Sequence, residues 1–152
     1  GERTPHNDPN IRGSLHMIDT STDLESMIYA VIEGITFGIK DGFDAVHSVS
    51  NNNRDIYLVG GGSKSEFWSE LISSALNEEI IVGQDSDLGP AIGAARLAML
   101  STNKYKNEDV ILNMKPLRKC CPSNKISEYL QDRYKKWKIL ADTSKSISRR
   151  MV

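Results

Sequence analysis

The hydrophobic positions of this chain change period several times, and each change marks an element. Thr22 and Glu25 form a Thr-x-x-Glu capping box ahead of Leu24, Met27, Ile28, Val31, Ile35, Ile39, Phe43 and Val46, which recur every three or four residues. This spacing predicts a helix from about Asp23 to His47, and Ile32 and Phe37 widen its apolar face toward more than one neighbour. Gly34, Gly38 and Gly42 share one stripe of that helix. Glycines there cost roughly 2–3 kcal/mol together relative to alanine, which close packing or a nearby ligand would offset. After the Asn-rich turn of residues 50–54, the short run Ile56-Tyr57-Leu58-Val59 fits a buried strand. Gly60, Gly61 and Gly62 follow, and Ser63 with Glu66 reads as a second capping box. A helix from Glu66 to Asn77 then turns Phe67, Leu71, Ile72, Ala75 and Leu76 inward. Glu79 to Gly83 reads as a second strand. Gly89-Pro90 opens a third helix with a small face of Ala91, Gly93, Ala94, Ala95 and Ala98.

Ser101 to Asn124 reads as a polar connector, basic from Lys115 to Lys119. Ile126, Tyr129, Leu130, Tyr134, Trp137 and Leu140 mark a last amphipathic helix, supported by the i,i+4 pair Asp132 and Lys136. The polar, basic tail from Thr143 to Val152 is expected to fray. The order α-β-α-β-α-α implies a layered α/β domain, although two strands are few for one. The first fourteen residues hold one aliphatic side chain, Ile11, and read as a long loop. Together these features predict the C-terminal part of a longer protein. The expected divisions are an entry loop over 1–22, the main domain over 23–142 and a tail over 143–152.

Composition narrows the field. At 152 residues, with 39% hydrophobic and 26% charged residues, the chain has the make-up of one ordinary globular domain. A formal net charge of -1 gives no overall attraction to nucleic acid or an anionic membrane. No apolar run is long enough to cross a bilayer, and no signal-peptide pattern opens the chain, so a cytoplasmic location is expected. Cys120 and Cys121 are adjacent, a poor geometry for a disulfide, and His6, His16 and His47 lie too far apart in sequence to suggest zinc.

The chemistry concentrates at Gly60-Gly61-Gly62. Strand, glycine turn and helix start make a place where a flat or anionic group can lie against bare backbone; the alternative is a tight turn between packed elements. A dinucleotide fingerprint is only partly met by Gly60, Gly62 and the later Asp85, because Ser65 stands where the third glycine belongs. No G-x-x-x-x-G-K-[ST] phosphate loop exists.

Four segments resemble the carbohydrate-kinase family that includes xylulokinase and glycerol kinase. They are Gly1-Glu2-Arg3-Thr4-Pro5-His6-Asn7, Ala30-Val31-Ile32-Glu33-Gly34, Leu58 to Trp68, and Gly89-Pro90-Ala91-Ile92-Gly93-Ala94-Ala95-Arg96-Leu97-Ala98. The resemblance runs to about Leu100. It implies an actin-like, ribonuclease-H-like ATPase fold, of which this chain would carry the C-terminal part. It implies ATP with Mg²⁺ as cofactors, phosphoryl transfer to a sugar such as D-xylulose held mainly by an N-terminal domain, and no nucleic-acid or membrane partner; a homodimer stays open. It places the catalytic aspartate and the phosphate-holding turns upstream, so no catalytic residue is expected here. Gly60, Gly61 and Gly62 would lie under the adenosine. Ser65 takes the place of an asparagine that reaches the purine in glycerol kinases, and Arg12-Gly13 matches a step near the nucleotide. Glu33 is either a ribose-side acid or a structural ion-pair partner. Met17 stands where the family has a glycine, which puts the run of the chain after the loop, and the exact sugar, in doubt. The alternatives are a kinase for another sugar or polyol of the family, or a non-catalytic nucleotide- or sugar-binding module.

Overall fold

A computed structural model describes residues 1–49, 55–102, 106 and 115–150. The Asn-rich turn at 50–54 and residues 103–105 and 107–114 of the expected connector lie outside the described residues. Helix α1 spans Leu24–His47, strand β1 Ile56–Leu58, helix α2 Glu66–Leu76, strand β2 Ile80–Gly83, helix α3 Gly89–Ser101, strand β3 Pro116–Cys120 and helix α4 Asn124–Arg150. Two short 3-10 turns, Gly61–Lys64 and Ser86–Leu88, follow β1 and β2.

The sheet runs β1-β2-β3. β1 and β2 are parallel, with Ile56 beside Ile80 and Leu58 beside Val82, and α2 makes the crossover. β3 is antiparallel to β2, pairing Cys120 with Ile80. It lies inside the stretch that sequence reads as a connector. Lys115, Arg118 and Lys119 mask a strand whose one buried apolar residue is Cys120, Leu117 being exposed. β2 is central and buried at every position, which is why it carries the run Ile80-Ile81-Val82.

Two apolar clusters hold the layers. Ile72 and Leu76 of α2 pack on Ile80, Val82 and Cys120 of the sheet. Leu71 and Ala75, on the neighbouring face of α2, pack on Phe37 of α1 and on Leu130 and Tyr134 of α4. α2 is therefore the pivot of the molecule, and Phe67, expected inward, is exposed at its first turn. α1 and α4 are tied by Glu33, 5% exposed, which accepts from Arg133 Nε at 2.5 Å and Nη2 at 2.6 Å. Of the two readings of Glu33, the ion-pair partner is the one the geometry contains. α4 continues to Arg150, so the frayed tail expected from Thr143 is helical over its described length.

Three local expectations change. Asp23, not Thr22, caps α1, its carboxylate accepting from Ser26 N at 2.8 Å, because the Thr22 hydroxyl is already engaged with Asp19. Ser65, not Ser63, caps α2. The glycine stripe of α1 meets little: Gly34 and Gly42 have ordinary neighbours and Gly38 has open space. One long face of α1, from Leu24 through Ile28, Val31, Ile35 and Ile39 to Val46, is 38–70% exposed, and α3 buries no residue among those described. The expected cover on more than one side is thus present on one side of α1.

Candidate nucleotide-side turn

The glycine turn is built by fitting two short 3-10 segments together. Gly60 N donates to Ser86 O at 2.6 Å, and the hydroxyls of Ser63 and Ser86 meet at 2.7 Å. Ser63 Oγ also donates to Gly60 O at 2.7 Å. Lys64 Nζ reaches Asp87 Oδ2 at 2.6 Å, and that ammonium holds the Asp87 carboxyl below its ordinary value. From beneath, Arg118 Nη2 of β3 donates to Ser63 O at 3.1 Å and Ser69 Oγ at 2.9 Å. The turn is pinned from three elements, as a preorganised binding surface requires.

Each of the three glycines has a different reason. Gly60 has φ 102°, a conformation that side-chain-bearing residues rarely adopt. A Cβ on Gly62 would collide with the ring of Trp68, whose indole N–H donates to Thr36 Oγ1 at 2.9 Å. A Cβ on Gly61 would meet nothing within 4 Å. Nothing inside the described residues requires glycine at 61, so the bare backbone there faces outward. The neighbouring Gly89-Pro90 step lies against the same turn: a Cβ on Gly89 would stand 2.8 Å from Val59 Cβ. Val59, just before the first 3-10 turn, and Leu88, the last residue of the second, leave exposed apolar surface. Bare backbone with apolar flanks suits a flat ring such as a nucleobase.

Ser65 is exposed at the head of α2, and its hydroxyl accepts from Trp68 N at 3.2 Å. That bond uses an acceptor site and leaves the hydroxyl proton to donate outward. Arg12 and Gly13 sit elsewhere. Arg12 Nη1 donates to Pro9 O at 2.7 Å and Ile11 O at 3.0 Å, and both residues line a cavity against the end of α4 that no residue of the glycine turn lines. Among the described residues the structure therefore brings Gly60, Gly61, Gly62 and Ser65 together and leaves Arg12 and Gly13 apart from them. Sequence reasoning missed Ser86 and Asp87, which pin the turn, and Arg118 beneath it; their signal is long-range pairing that no local spacing carries. No group of three or more metal-ligating side chains lies together among the described residues, and none of their helices is long and apolar enough to cross a membrane.

Residues 1–102 match the FGGY family of carbohydrate kinases, C-terminal domain. Xylulose kinase of Escherichia coli K12 is 34% identical over 117 residues, covering 77% of this chain and 24% of that protein. Xylulose kinase of Staphylococcus xylosus is 38% identical over 100 residues, covering 66% of this chain and 20% of that protein. The crystal structure of a xyloylose kinase from Brucella ovis superposes with a TM-score of 0.80 at 31% identity, over 97% of this chain and 30% of that one. A gluconate kinase from Lactobacillus acidophilus superposes with a TM-score of 0.79 at 24% identity, over 100% of this chain and 31% of that one, a likeness of fold alone. The match defines the class, a carbohydrate-kinase domain with mixed α/β structure. The chain belongs to the FGGY family of carbohydrate kinases, and it spans about a quarter of the length of the curated relatives it matches.

Proposed function

We propose that the chain is the nucleotide-side portion of an ATP-dependent sugar kinase of actin-like, ribonuclease-H-like fold, with D-xylulose as acceptor and D-xylulose 5-phosphate as product. The observation that carries the nucleotide assignment is Gly61: it has backbone bared to the outside, open space where a Cβ would stand, and a turn pinned by Ser63, Ser86 and Arg118 around it. Gly60, Gly61 and Gly62 form a floor for adenosine, and the Ser65 hydroxyl donates toward the base edge, directly or through water. Bound ATP supplies the transferable phosphoryl group, with Mg²⁺ to neutralise its charge. No acid of this chain is assigned as the base that takes the sugar hydroxyl proton; that role belongs to the remainder of the protein, and this chain alone has no kinase activity. Support for D-xylulose comes from relatives carrying the name xylulose kinase at 34% and 38% identity. A second reading, a kinase for another sugar or polyol, follows from the matched family model, which names carbohydrate kinases without a particular sugar. The exposed α1 face fits cover by another part of a longer kinase chain.

The test is a panel of ketoses, aldonates and polyols assayed with ATP on the intact gene product. D-xylulose phosphorylated best is the expected result. Preference for gluconate selects the second reading, and nucleotide binding without turnover of any sugar would reject the kinase.

A further inference from the structure

The sequence motif left without a function is the entry loop, and the structure closes it over the end of α4. Asp8 Oδ2 accepts from Arg149 Nε at 2.9 Å, and Ser14 Oγ lies 3.0 Å from Ser144 Oγ and 2.8 Å from His16 Nε2. Between loop and helix is a half-open cavity of about 430 Å³, with Arg12, Ser14, His16 and Ile147 exposed along it, a volume within the range that holds small metabolites. Its wall is made by Arg12, Ser14 and His16 from the loop and Ser144, Ile147 and Ser148 from α4, with Asn10 at one end.

The hydrogen-bonding capacity of that wall is only partly used. Arg12 donates through Nη1 alone, to two carbonyls of its own loop, and its Nε and Nη2 have no partner among the described residues. Ser148 is largely buried, and its hydroxyl, open to the cavity, has no partner among them. The Asn10 side-chain amide is likewise unpaired there. No carboxylate lines the cavity. The nearest in sequence, Asp8, is held in its ionised form by the backbone N–H of Asn10 and by Arg149. A guanidinium fork, an imidazole, three hydroxyls and an amide without an opposing acid suit a tetrahedral oxyanion. Ile147 and the size of the cavity leave room for a carbon skeleton beside it.

We propose that this cavity is a binding site for the phosphate group of a small phosphomonoester, of the size of a sugar phosphate, separate from the glycine turn. Arg12 Nε and Nη2 clamp two phosphate oxygens, Ser148 and Asn10 donate to the others, and His16 with its two serines closes the rim. The site joins the entry loop to α4, so an occupied site fastens that loop.

The test uses the intact gene product, titrated with inorganic phosphate and with a pentose 5-phosphate by calorimetry, while NMR follows the His16 ring. Saturable binding of both is expected, tighter for the ester, with the His16 signal moving in step. Arg12→Gln should weaken binding by about tenfold or more, the scale of a lost charge-assisted bidentate contact. The conservative Ser148→Ala should weaken it by a few-fold, and the circular dichroism of both variants reports whether they remain folded. Gly61→Val should leave it unchanged. The proposal is overturned by absence of saturable binding at millimolar ligand, by equal binding in folded Arg12→Gln and Ser148→Ala variants, or by displacement of phosphate by ATP, which would make the cavity part of the nucleotide site. ATP affinity measured on the same samples keeps failure here distinct from failure of the kinase reading.

Discussion

At the scale of single residues, three adjacent glycines answer to three different forces. Gly60 is fixed by its backbone angle, Gly62 by the Trp68 ring, and Gly61 by nothing within the described chain. Gly62→Ala must push a half-buried indole off its hydrogen bond to Thr36, and an overpacked site of this kind costs about 1–3 kcal/mol. Urea denaturation should show that loss for Gly62→Ala and little change for Gly61→Ala. Met17 makes the opposite point. It has φ 60°, and its side chain is 91% exposed, so nothing packs to offset the left-handed backbone. The family resemblance places glycine there, and the positive φ is a conformation that glycine adopts freely. Met17→Gly should raise stability by about 1 kcal/mol, read from the denaturation midpoint; a lower midpoint would show that Met17 makes contacts the backbone argument omits. The glycine signal is local and legible in the sequence, whereas the pairing of Ser63 with Ser86, 23 residues away, leaves no local mark there.

At the scale of elements, helices with a strong period were legible and the third strand was not. α1, α2 and α3 appear within a residue or two of their expected ends, although the caps of α1 and α2 fall on neighbouring residues, because apolar spacing and a first-turn proline such as Pro90 are local properties. β3 escaped because a short, basic, largely exposed strand shows no alternation; only pairing with β2 makes it one. α4 ran past its expected end because its last turns are held by polar contacts to the entry loop, such as Arg149 with Asp8. The same helix anchors that loop through Asp41 of α1, which receives His6 Nε2 at 2.9 Å, Tyr134 OH at 3.1 Å and Lys138 Nζ at 3.3 Å. Burial works against the Asp41 charge, but Lys138, Tyr134 and His6 prevail and hold its carboxyl below the ordinary value. A carboxyl lowered in the folded state stabilises above the unfolded value of about 4 and loses that contribution as pH falls through the lowered one. Denaturation across the acid range should therefore show a steeper loss below about pH 4 in the natural protein than in Asp41→Asn. Parallel curves would remove Asp41 from the account. The Glu33–Arg133 link between α1 and α4 is half open to water on the arginine side, so Glu33→Ala should cost about 1–2 kcal/mol rather than the larger loss of a fully buried pair.

At the scale of the whole molecule, the described residues form a packed core and two open surfaces. The core is α2 between the sheet and the α1–α4 pair; the open surfaces are the Leu24-to-Val46 face of α1 and helix α3, which buries no residue. Sequence could mark both faces of α1 as apolar, but which one a neighbour covers depends on elements distant in the chain. The chain by itself should bind a hydrophobic dye at that face, and Ile28→Lys with Ile35→Lys should reduce the signal by more than half; an undiminished signal would place the exposed apolar surface elsewhere. The central claim is that the pinned glycine turn is the floor for adenosine, and Trp68, packed on Gly62, is a reporter placed beside it. The decisive measurement is a titration of the intact gene product with ADP, following tryptophan fluorescence, for the natural protein and Gly61→Val. The account predicts a saturable change whose midpoint moves by about tenfold or more in Gly61→Val while stability and sugar affinity hold. An unchanged ADP midpoint in a folded Gly61→Val protein would contradict it.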